Sequence, residues 1–465
     1  MLINALYYLN FSILIFFIII SMGYILLLIT SIPDILLRFK EVESGNIMEM
    51  MNSYTLPPIS IIIPAYNEEQ SIFDAVRSIQ RNKHLNTFII IINDGSTDGM
   101  LNKLIKAYDL QQVQTNVDVK IKMIGAIKGQ YISKTFKEIT VIDKEHSDRS
   151  DSLNAALNMC KTPLVMTFDA DSVIDEDAIS RIVFYMLSRP NVVATGGAVY
   201  VLNGSIVKDG KILESKMSLN PIYAFQTCEY LRSFLFSKSG WNLLGGALCY
   251  SGTFTVFKYQ ALIEIGGFDL NNLAQDFEII TNLFANKYEK NPNYQISYTS
   301  APVVWTDVPG TLKNYWRQRF NWQYATLQSL MPYKRMLFNP KYGIVGLFTY
   351  PFFLFAETLG AVVEFTAYLS VIFSLLLGVL NVYTAALFFM FCWGFLTLLT
   401  MINASINFMT FNKYKRIRDL PLMLLYMLIE AVGFRQFSVV CRTWATVVYF
   451  FGKPKVINSN ENIYS

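Results

Sequence analysis

Short apolar runs that end in acidic or turn-forming residues recur through the middle of the chain. Residues 60–63 (SIII), 88–92 (FIIII), 164–168 (LVMTF) and 192–200 follow this pattern, and helical periodicity follows the first two runs to about residue 81 and beyond residue 99. Continuous apolar runs of this length are typical of strands buried in a parallel sheet. Strands that alternate with helices predict an α/β fold with a doubly wound sheet.

Two longer apolar regions flank this middle part. Residues 5–32 are almost uncharged, and residues 342–452 are mostly apolar apart from one basic stretch. The first run is long enough to cross a bilayer, and it lacks the basic start and the small-residue cleavage site of a signal peptide. The pattern predicts an N-terminal transmembrane helix (1–40), a water-soluble domain (41–335) and a C-terminal part of interfacial and transmembrane helices (336–465).

Basic residues determine the expected orientation of these spans. Arg38 and Lys40 follow the first span and no basic residue precedes it, while further basic clusters lie at 334–341 and 413–418. Because basic loops stay on the cytoplasmic side, we expect a multi-pass cell-membrane protein with a cytoplasmic soluble domain and C-terminal tail. Crossings are expected near 357–378 and 383–405, with 342–355 in the interface and a tight hairpin at 434–436 in the final apolar part.

Composition excludes several classes of function. The chain has 465 residues, 53% of them hydrophobic, and a formal net charge of +4, which gives no support for nucleic-acid binding. Five cysteines without metal-ligand spacing indicate reduced thiols. The two histidines, His84 and His146, have no partner at ligand spacing, which argues against a zinc site or a Ser-His-Asp triad.

Acidic residues stand at the ends of the first three predicted strands: Glu68, then Asp94 and Asp98, then Asp169 and Asp171. In open α/β sheets, ligands gather at the carboxyl ends of the strands. Asp169 and Asp171 are two positions apart, so both carboxylates can face one point and suit Mg²⁺ or Mn²⁺ carrying a diphosphate. The alternative is an acidic loop that caps the next helix. No glycine-rich phosphate motif is present, so metal and basic side chains would hold the phosphate.

Further candidates stand in three predicted helices. Arg149 opens the helix 149–158 and would reach a diphosphate, or it is a surface arginine. Asp276 lies at the start of a helix, where a carboxylate is either a cap or a base that faces the substrate. The segment 315–324 (YWRQRFNWQY) combines Trp316 and Trp322 with arginines; it is either a sugar platform beside a phosphate or an amphipathic helix on the membrane. Residues 109–148 are irregular, and 203–220 are expected to form a loop.

The order of these motifs resembles family 2 glycosyltransferases. PAYNE, DGSTD, RSDSLN, DAD, SGTF, GGFD, QDFE and a Gln-Arg-x-x-Trp helix follow one another between about residues 57 and 330. They most resemble the membrane-embedded processive branch, which includes hyaluronan, poly-N-acetylglucosamine, chitin and cellulose synthases. The resemblance implies a nucleotide-sugar-binding domain of the GT-A type, with a doubly wound mixed sheet and transmembrane helices at both ends.

The resemblance also implies roles for individual residues. Asp276 would be the catalytic base, and Asp169 and Asp171 would bind the diphosphate through Mg²⁺ or Mn²⁺. The nucleotide sugar would be bound by Pro64, Tyr66, Asn67, Glu68, Asp94, Arg149 and Asp169. The acceptor and diphosphate would be contacted by Ser251, Gly252, Thr253, Gln318, Arg319 and Trp322.

One departure bears on the product. The family's arginine before the helix tryptophan is Asn321 here, so either Arg317 or Arg319 replaces its charge or processivity differs. The leading hypothesis is inverting transfer from a UDP-sugar to a growing β-linked polysaccharide, coupled to its passage across the bilayer, with an accessory subunit as a further partner. The alternatives are a transferase that adds one sugar to a lipid or polyprenyl acceptor, giving a glycolipid, and a catalytically silent membrane subunit.

Ionisable residues also occur within the predicted spans, and two interpretations stay open. They are Glu357, Glu364, Glu430, Arg435 and Arg442. Such residues are costly against lipid and face either a polar cavity or one another. They would line a path for an emerging polysaccharide, or they form structural ion pairs.

Overall fold

The computed structural model describes residues 2–43, 56–84, 86–114, 118–410, 413–414, 416 and 418–452. Most of the expected linker at 41–55, and the basic residues Lys415, Lys453 and Lys455, lie outside these residues. The expectations that concern them therefore stay predictions.

A ten-stranded mixed sheet forms the centre of the soluble domain, in the order β3-β4-β5-β2-β1-β6-β11-β8-β12-β7. A separate hairpin pairs β9 with β10. The strands are β1 (Ile59–Ala65), β2 (Thr87–Asp94), β3 (Leu110–Val113), β4 (Ile127–Ser133), β5 (Ile139–Lys144), β6 (Leu164–Thr167), β7 (Ser172–Ile174), β8 (Val192–Val201), β9 (Ile206–Lys208), β10 (Lys211–Glu214), β11 (Thr255–Lys258) and β12 (Gln295–Thr306).

The parallel centre of the sheet explains the apolar runs of the sequence. β5, β2, β1 and β6 are neighbouring parallel strands, and helices cover both of their faces, so nearly every side chain of β1 and β2 is buried. Antiparallel β11 follows β6, and β8 and β12 continue the sheet as a parallel pair. The predicted doubly wound mixed sheet is confirmed, whereas the expected loop at 203–220 is wrong because that segment contains β9 and β10.

Helices of the soluble domain connect these strands. They are α2 (Ile72–Gln80), α3 (Met100–Ala107), α4 (Arg149–Leu157), α5 (Ala178–Leu187), α6 (Pro221–Leu231), α7 (Lys238–Leu243), α8 (Tyr259–Glu264), α9 (Gln275–Glu289) and α10 (Leu312–Leu330). A π-helical turn, Arg232–Ser237, joins α6 to α7. Asp148 caps α4 by accepting a hydrogen bond from the Asp151 N–H at 3.1 Å, which fixes where Arg149 leaves the chain.

The apolar ends of the chain form long helices that precede and follow the soluble domain. The N-terminal helix runs from Leu2 to Glu43, and we call it α1. The C-terminal helices are α11 (Gly360–Leu376), α12 (Val382–Thr410), α13 (Asp419–Glu430) and α14 (Phe434–Phe451). In the described part of the chain, two helices are long and apolar enough to cross a membrane, and up to four spans result if each bent pair counts as one.

The final pair of helices differs from the expected arrangement. α13 and α14 meet at a bend of 54° at Gly433, where φ is +88°, instead of reversing in a tight hairpin at 434–436. A glycine adopts this left-handed backbone at little steric cost. The pair is therefore a broken span or a re-entrant loop, and the hairpin prediction is wrong.

The second half of α1 packs against the soluble domain. A Cβ at Gly240 in α7 would lie 2.5 Å from the Leu27 carbonyl oxygen, so only glycine allows this approach. The Asn242 Nδ2 donates to Asp34 Oδ1 at 3.0 Å, and its Oδ1 accepts from the Tyr298 N–H at 2.9 Å. Asn242 thus connects α1 with the beginning of β12.

Candidate active site

The loops after β1 and β2 are held together by the side chain of Asn67. Its Oδ1 accepts from the Thr97 N–H at 2.8 Å, and its own N–H donates to Ser96 Oγ at 3.0 Å. Asn67 has φ +57°, a left-handed conformation that asparagine tolerates better than most residues. The predicted nucleotide-binding segment that begins at Pro64 is consequently fixed against the DGSTD loop before any ligand binds.

Asp94 lies in a buried polar network at the end of β2. Its Oδ1 accepts from Lys144 Nζ at 2.6 Å, and its Oδ2 lies 2.9 Å from His146 Nδ1. Lys144 is fully buried and also lies 2.9 Å from Asp151, which places one ammonium between two carboxylates. The ring of His146 stacks on that of Tyr66, with centroids 4.3 Å apart. Tyr66 and Asp94, two of the predicted nucleotide-sugar residues, therefore lie on either side of His146.

Four carboxylates converge where β1, β6 and β12 end. They belong to Glu68, Asp169, Asp171 and Asp307. Burial raises the pKa of Asp171 well above its usual range, and the three neighbouring acids raise it further. Burial also raises the pKa values of Glu68 and Asp307. Such a cluster is electrostatically unfavourable by itself and is stabilised by a bound cation.

The acids are held by hydroxyl groups of β7, β12 and the SGTF loop before β11. Asp171 Oδ1 accepts from Ser172 Oγ at 3.2 Å and from Thr306 Oγ1 at 3.3 Å. The Asp169 N–H donates to Thr253 Oγ1 at 3.2 Å, and this buried hydroxyl donates to Ser172 Oγ at 2.9 Å. Thr253, a predicted acceptor-side residue, therefore fixes the backbone at Asp169.

The guanidinium of Arg149 joins the acidic cluster to the SGTF loop. Its Nη2 lies 2.5 Å from Asp169 Oδ1 and donates to the Gly252 carbonyl oxygen at 3.0 Å. With the Gln275 amide oriented so that its oxygen faces Arg149, that oxygen accepts from Nε at 2.8 Å. Arg149 therefore lies in the candidate site with its guanidinium against Asp169, and its contact with a diphosphate stays a prediction.

Asp276 lies next to this guanidinium at the start of α9. A Cβ built on Gly252 would lie 3.2 Å from Arg149 Nη2 and 3.5 Å from Asp276 Oδ2, so the two charged groups flank the same glycine. Ser251, Gly252, Arg149 and Asp276 also line one small pocket. The predicted base and the predicted diphosphate residues therefore face a common space.

Opposing effects act on the protonation of Asp276. Burial raises the pKa of its carboxyl, while the positive charges of Arg149 and Lys238 lower it and Asp169 raises it again. Lys238 is 8% exposed, and its Nζ lies 3.7 Å from the ring centroid of Phe234. Burial lowers the pKa of Lys238.

Three residues of α10, Gln318, Arg319 and Trp322, are predicted to contact the acceptor and the diphosphate, and these roles stay predictions. The Arg319 guanidinium pairs with Glu229 at 2.5 Å and lies 4.4 Å from the ring centroid of Trp322. Gln318 Oε1 is buried and has no hydrogen-bond partner among the described residues. Trp322 is 44% exposed. Arg319 is thus paired with a residue of α6, and Arg317 is exposed on the surface. Among the described residues, no hydrogen bond or ion pair joins either arginine to the acidic cluster.

The donor set fits a divalent cation that is shared with a substrate. Within the described residues, no group of three or more His, Cys, Asp and Glu side chains is arranged to hold a metal ion alone. Mg²⁺ and Mn²⁺ prefer oxygen ligands, and Mg²⁺ is commonly bound by one or two carboxylates together with substrate phosphates. Asp169 and Asp171 fit that requirement.

Sequence reasoning missed several residues of the site. Lys144 and His146 come from the irregular segment 109–148, where no pattern predicts β5. Asp307 directly follows β12, and this signal was present in VVWTDVPG. No pattern in the sequence points to Lys238, because only the tertiary structure brings it near Asp276.

The ion pairs of the helical region favour one of the two interpretations of its charges. Arg435 pairs with Glu364 at 2.8 Å, and Arg232 pairs with Glu430 at 2.6 Å. Arg442 Nε donates to Gln323 Oε1 at 2.9 Å. These groups form structural pairs in the described residues; whether any lines a polysaccharide path stays a prediction.

Comparison with known proteins agrees with this geometry. Residues 57–325 match the model of glycosyltransferase like family 2. Poly-beta-1,6-N-acetyl-D-glucosamine synthase of Staphylococcus aureus (strain COL) is 26% identical over 272 residues, which cover 58% of this chain and 55% of that protein. The synthase of Staphylococcus epidermidis is 28% identical over 264 residues, covering 57% and 53%. The chain thus spans about half the length of these relatives.

A solved structure shows the same fold. A mannosyltransferase from Pyrobaculum calidifontis, in complex with GDP-Man and Mn²⁺, superposes with a TM-score of 0.52 at 15% identity, covering 93% of this chain and 99% of that one. At this identity the likeness concerns the fold alone, and it confirms the GT-A type of α/β domain. The family match extends over more than half of the sequence. The chain therefore belongs to glycosyltransferase family 2 and is a glycosyltransferase with apolar helices on either side of its catalytic domain.

Proposed function

We propose that this enzyme transfers a sugar from a UDP-sugar to a growing β-linked polysaccharide with inversion at the anomeric carbon. The supporting observation is the position of Asp276, which flanks Gly252 together with the Arg149 guanidinium that binds Asp169. A base for the acceptor hydroxyl and the residues for the departing diphosphate thereby face one space. Direct displacement requires the base and the attacking hydroxyl on one side of the anomeric carbon and the departing diphosphate on the other.

The chemistry follows from these positions. Asp276 accepts the proton of the acceptor hydroxyl at a carboxylate oxygen while the hydroxyl oxygen forms a bond to the anomeric carbon. The bond between that carbon and the diphosphate breaks, and UDP leaves with the electron pair. Because the attack comes from the side opposite the leaving group, an α-linked donor gives a β-linked product. UDP is a good leaving group, so the site needs no protonated acid of the kind used by glycosidases.

The electrostatic surroundings of Asp276 act on its strength as a base. Burial raises the pKa of its carboxyl, which strengthens it as a base, while the positive charges of Arg149 and Lys238 oppose this rise. Asp169 and Asp171 would hold Mg²⁺ or Mn²⁺, which supplies charge neutralisation for the diphosphate when bound. Arg149 contributes a fixed positive charge at the same place.

The choice of donor is guided by the relatives. The synthases of both staphylococci are named for a polymer of N-acetyl-D-glucosamine. UDP-N-acetylglucosamine is therefore the first donor to test, with the Tyr66–His146 stack and the neighbouring Asp94 as the place for its nucleoside. A growing polysaccharide would be the acceptor, with an accessory subunit as a further partner.

We also propose a multi-pass arrangement in the cell membrane with a cytoplasmic catalytic domain. Support comes from the two helices that are long enough to cross a bilayer and from Arg38 and Lys40 at the end of α1. A cytoplasmic domain has direct access to nucleotide sugars, and passage of the product across the membrane would follow its synthesis.

The test is a comparison of membranes that contain wild-type protein, Asp276→Asn or Asp171→Asn, supplied with labelled UDP-N-acetylglucosamine and Mn²⁺. Loss of general-base catalysis lowers turnover by about 10²–10⁴-fold. Asp118→Asn, whose side chain is 80% exposed, is the matched control and keeps full activity. If Asp276→Asn and Asp171→Asn both still turn over the donor, the proposed roles of these residues are wrong. If only other UDP-sugars are transferred, the proposed donor is wrong.

The replacement of the family arginine by Asn321 supports a second candidate, transfer of a single sugar to a lipid or polyprenyl acceptor. Asparagine offers no charged fork to hold a diphosphate between successive additions. Sizing the product separates the two candidates, since a polymer supports the first and a single glycolipid the second. Asn321→Arg is expected to lengthen the product if this position limits processivity.

A further inference from the structure

The basic segment at 413–418, between α12 and α13, contains a single aromatic residue, Tyr414, which is only 3% exposed. Its ring lies against two rings of the central sheet, with centroid distances of 5.5 Å to Trp305 on β12 and 5.9 Å to Tyr200 on β8. Its hydroxyl donates to the carbonyl oxygen of Val201, the last residue of β8, at 3.1 Å. A buried tyrosine with its hydroxyl paired indicates a specific contact. We call the described residues of this segment, 413, 414, 416 and 418, the α12–α13 loop.

Ion pairs on both sides of Tyr414 attach the α12–α13 loop to the soluble domain. Lys413 Nζ lies 2.5 Å from Asp175 Oδ2, and Arg416 Nε donates to Glu214 Oε1 at 2.5 Å. Both pairs are partly exposed, and such pairs contribute little stability by themselves. Their contribution is to orient the loop, while the buried ring of Tyr414 supplies most of the apolar contact.

Trp305 and Asp175, two partners of the α12–α13 loop, are bonded to each other and lie next to the acidic cluster. Trp305 Nε1 donates to Asp175 Oδ1 at 3.0 Å, so the carboxylate of Asp175 lies between the indole and the ammonium of Lys413. The next residue of β12, Thr306, donates to Asp171 Oδ1 at 3.3 Å. β12 pairs here with β7, the strand that directly follows Asp171. The loop therefore contacts β12 one residue before that strand reaches the acidic cluster.

Strand geometry links these two contacts. Neighbouring side chains of a strand point to opposite faces of the sheet, so the indole of Trp305 packs on Tyr414 while Thr306 reaches Asp171. A close-packed interior transmits small displacements, so a shift of the indole moves the hydroxyl of Thr306 with it. The acids also repel one another, and their positions therefore depend on the groups that hold them from outside the cluster.

We propose that Tyr414 and Lys413 are positioning residues for the donor, because they fix Trp305 and Asp175 and thereby the place of the Asp171 carboxylate. The α12–α13 loop of the helical region thus sets the affinity of the soluble domain for a cation-bound nucleoside diphosphate. This inference rests on the proposed role of Asp171 in donor binding. A loop that only anchored α12 and α13 would affect the stability of the protein and leave the affinity of the folded enzyme unchanged.

The experiment measures binding without turnover, from the electron paramagnetic resonance signal of free Mn²⁺ as full-length protein in detergent is titrated in the presence of UDP. Tyr414→Ala removes the ring and its hydrogen bond, and it is expected to raise the Kd for Mn²⁺ roughly five- to tenfold, at or below the lower end for groups that orient a metal ligand directly. Tyr414→Phe keeps the ring on Trp305 and is expected to stay within about twofold of the wild type. Lys413→Met removes one partly exposed ion pair and is expected to raise this Kd about threefold.

Tyr426→Ala is the matched control. Tyr426 lies on α13, its hydroxyl donates to the Leu219 carbonyl oxygen at 3.1 Å, and its ring centroid lies 5.5 Å from that of Phe225 on α6. It therefore attaches the same part of the helical region to the soluble domain at a place away from β12. This variant is expected to lower the Tm and to keep the wild-type Kd for Mn²⁺ and UDP.

Asp171→Asn separates a failure of this inference from a failure of the proposed function. If Asp171→Asn binds Mn²⁺ and UDP as the wild type does, the proposed role of the acidic cluster is wrong, and the inference is wrong with it. If Asp171→Asn loses this binding while Tyr414→Ala and Lys413→Met keep the Kd of Tyr426→Ala, only the positioning role is wrong. If Tyr414→Ala does not give folded protein, the comparison of Lys413→Met with Tyr426→Ala decides by the same criterion.

Discussion

Arg149 makes three contacts at the centre of the site, and its replacement tests how the donor is held. Arg149→Met removes the charge at 2.5 Å from Asp169 and the hydrogen bond to the Gly252 carbonyl oxygen. Arg149→Lys keeps a positive charge but loses the planar fork, so it satisfies only one of these partners. The two variants therefore separate the contribution of the charge from that of the geometry.

The size of the effect follows from the exposure of the pair. A hydrogen bond to a charged group contributes about 1.5–3 kcal/mol. Arg149 is 30% exposed and Asp169 is 26% exposed, so solvent screening places this contact at the lower end. A loss of about 1.5–2 kcal/mol corresponds to roughly a 10- to 30-fold lower kcat/KM for Arg149→Met. Arg149→Lys is expected to lose about three- to tenfold, because the charge remains.

The assay measures kcat/KM for the nucleotide sugar in purified, detergent-solubilised enzyme at saturating Mn²⁺. Arg81→Met is the matched control, because this exposed arginine lies away from the site and its Nε donates to the Asp209 carbonyl oxygen. Thermal unfolding of each variant shows that the fold is retained. If Arg149→Met keeps kcat/KM within twofold of the wild type, Arg149 does not bind the diphosphate and the proposed arrangement fails.

Three further predictions concern other parts of the structure. Lys238→Met removes a positive charge that lowers the pKa of Asp276. In this variant the pKa of Asp276 is therefore expected to rise, and the acidic limb of the pH profile of kcat/KM moves to higher pH. An acidic limb at the wild-type position would exclude an interaction between Lys238 and Asp276. Trp241→Ala empties a fully buried site against the rings of Phe348 and Phe352 and is expected to cost about 3–5 kcal/mol, measured as a lower Tm. A change below about 1 kcal/mol would show that the site collapses. Glu430→Gln leaves Arg232 without its carboxylate and is expected to cost about 2–4 kcal/mol. The double variant Arg232→Leu/Glu430→Leu should recover most of that loss in stability. Lower polysaccharide secretion by Glu430→Gln at an unchanged Tm would instead support a polysaccharide path.

The part of the fold that could be predicted is the part that consists of continuous apolar strands. β1, β2, β6 and β8 are buried on both faces, so each is a nearly unbroken apolar run that helices follow. β3 and β4 mix buried, half-buried and exposed positions over four and seven residues, and neither β9 nor β10 has a buried position. Such short patterns occur equally in loops, which is why 109–148 and 203–220 were not predicted.

The residues of the candidate site likewise fall into those that a sequence pattern predicts and those that it does not. Asp94, Asp169 and Asp171 follow predictable strands, so their convergence is a consequence of the topology of a doubly wound sheet. Lys144 and Lys238 reach the site by tertiary packing between segments that are distant in sequence. For Arg319 the motif gives the residue but not its partner, because Glu229 on α6 cannot be aligned with α10 without the structure.

The side-chain amide of Asn242 connects α1 with β12, and the other end of β12 lies at the acidic cluster. The amide reaches Asp34 on one side and the Tyr298 N–H on the other, and β12 continues from there to Thr306, next to Asp171. A long span adjusts its tilt to bilayer thickness. Any such adjustment in α1 therefore pulls on β12, and the thickness of the surrounding membrane becomes a variable that activity measurements in reconstituted bilayers should control.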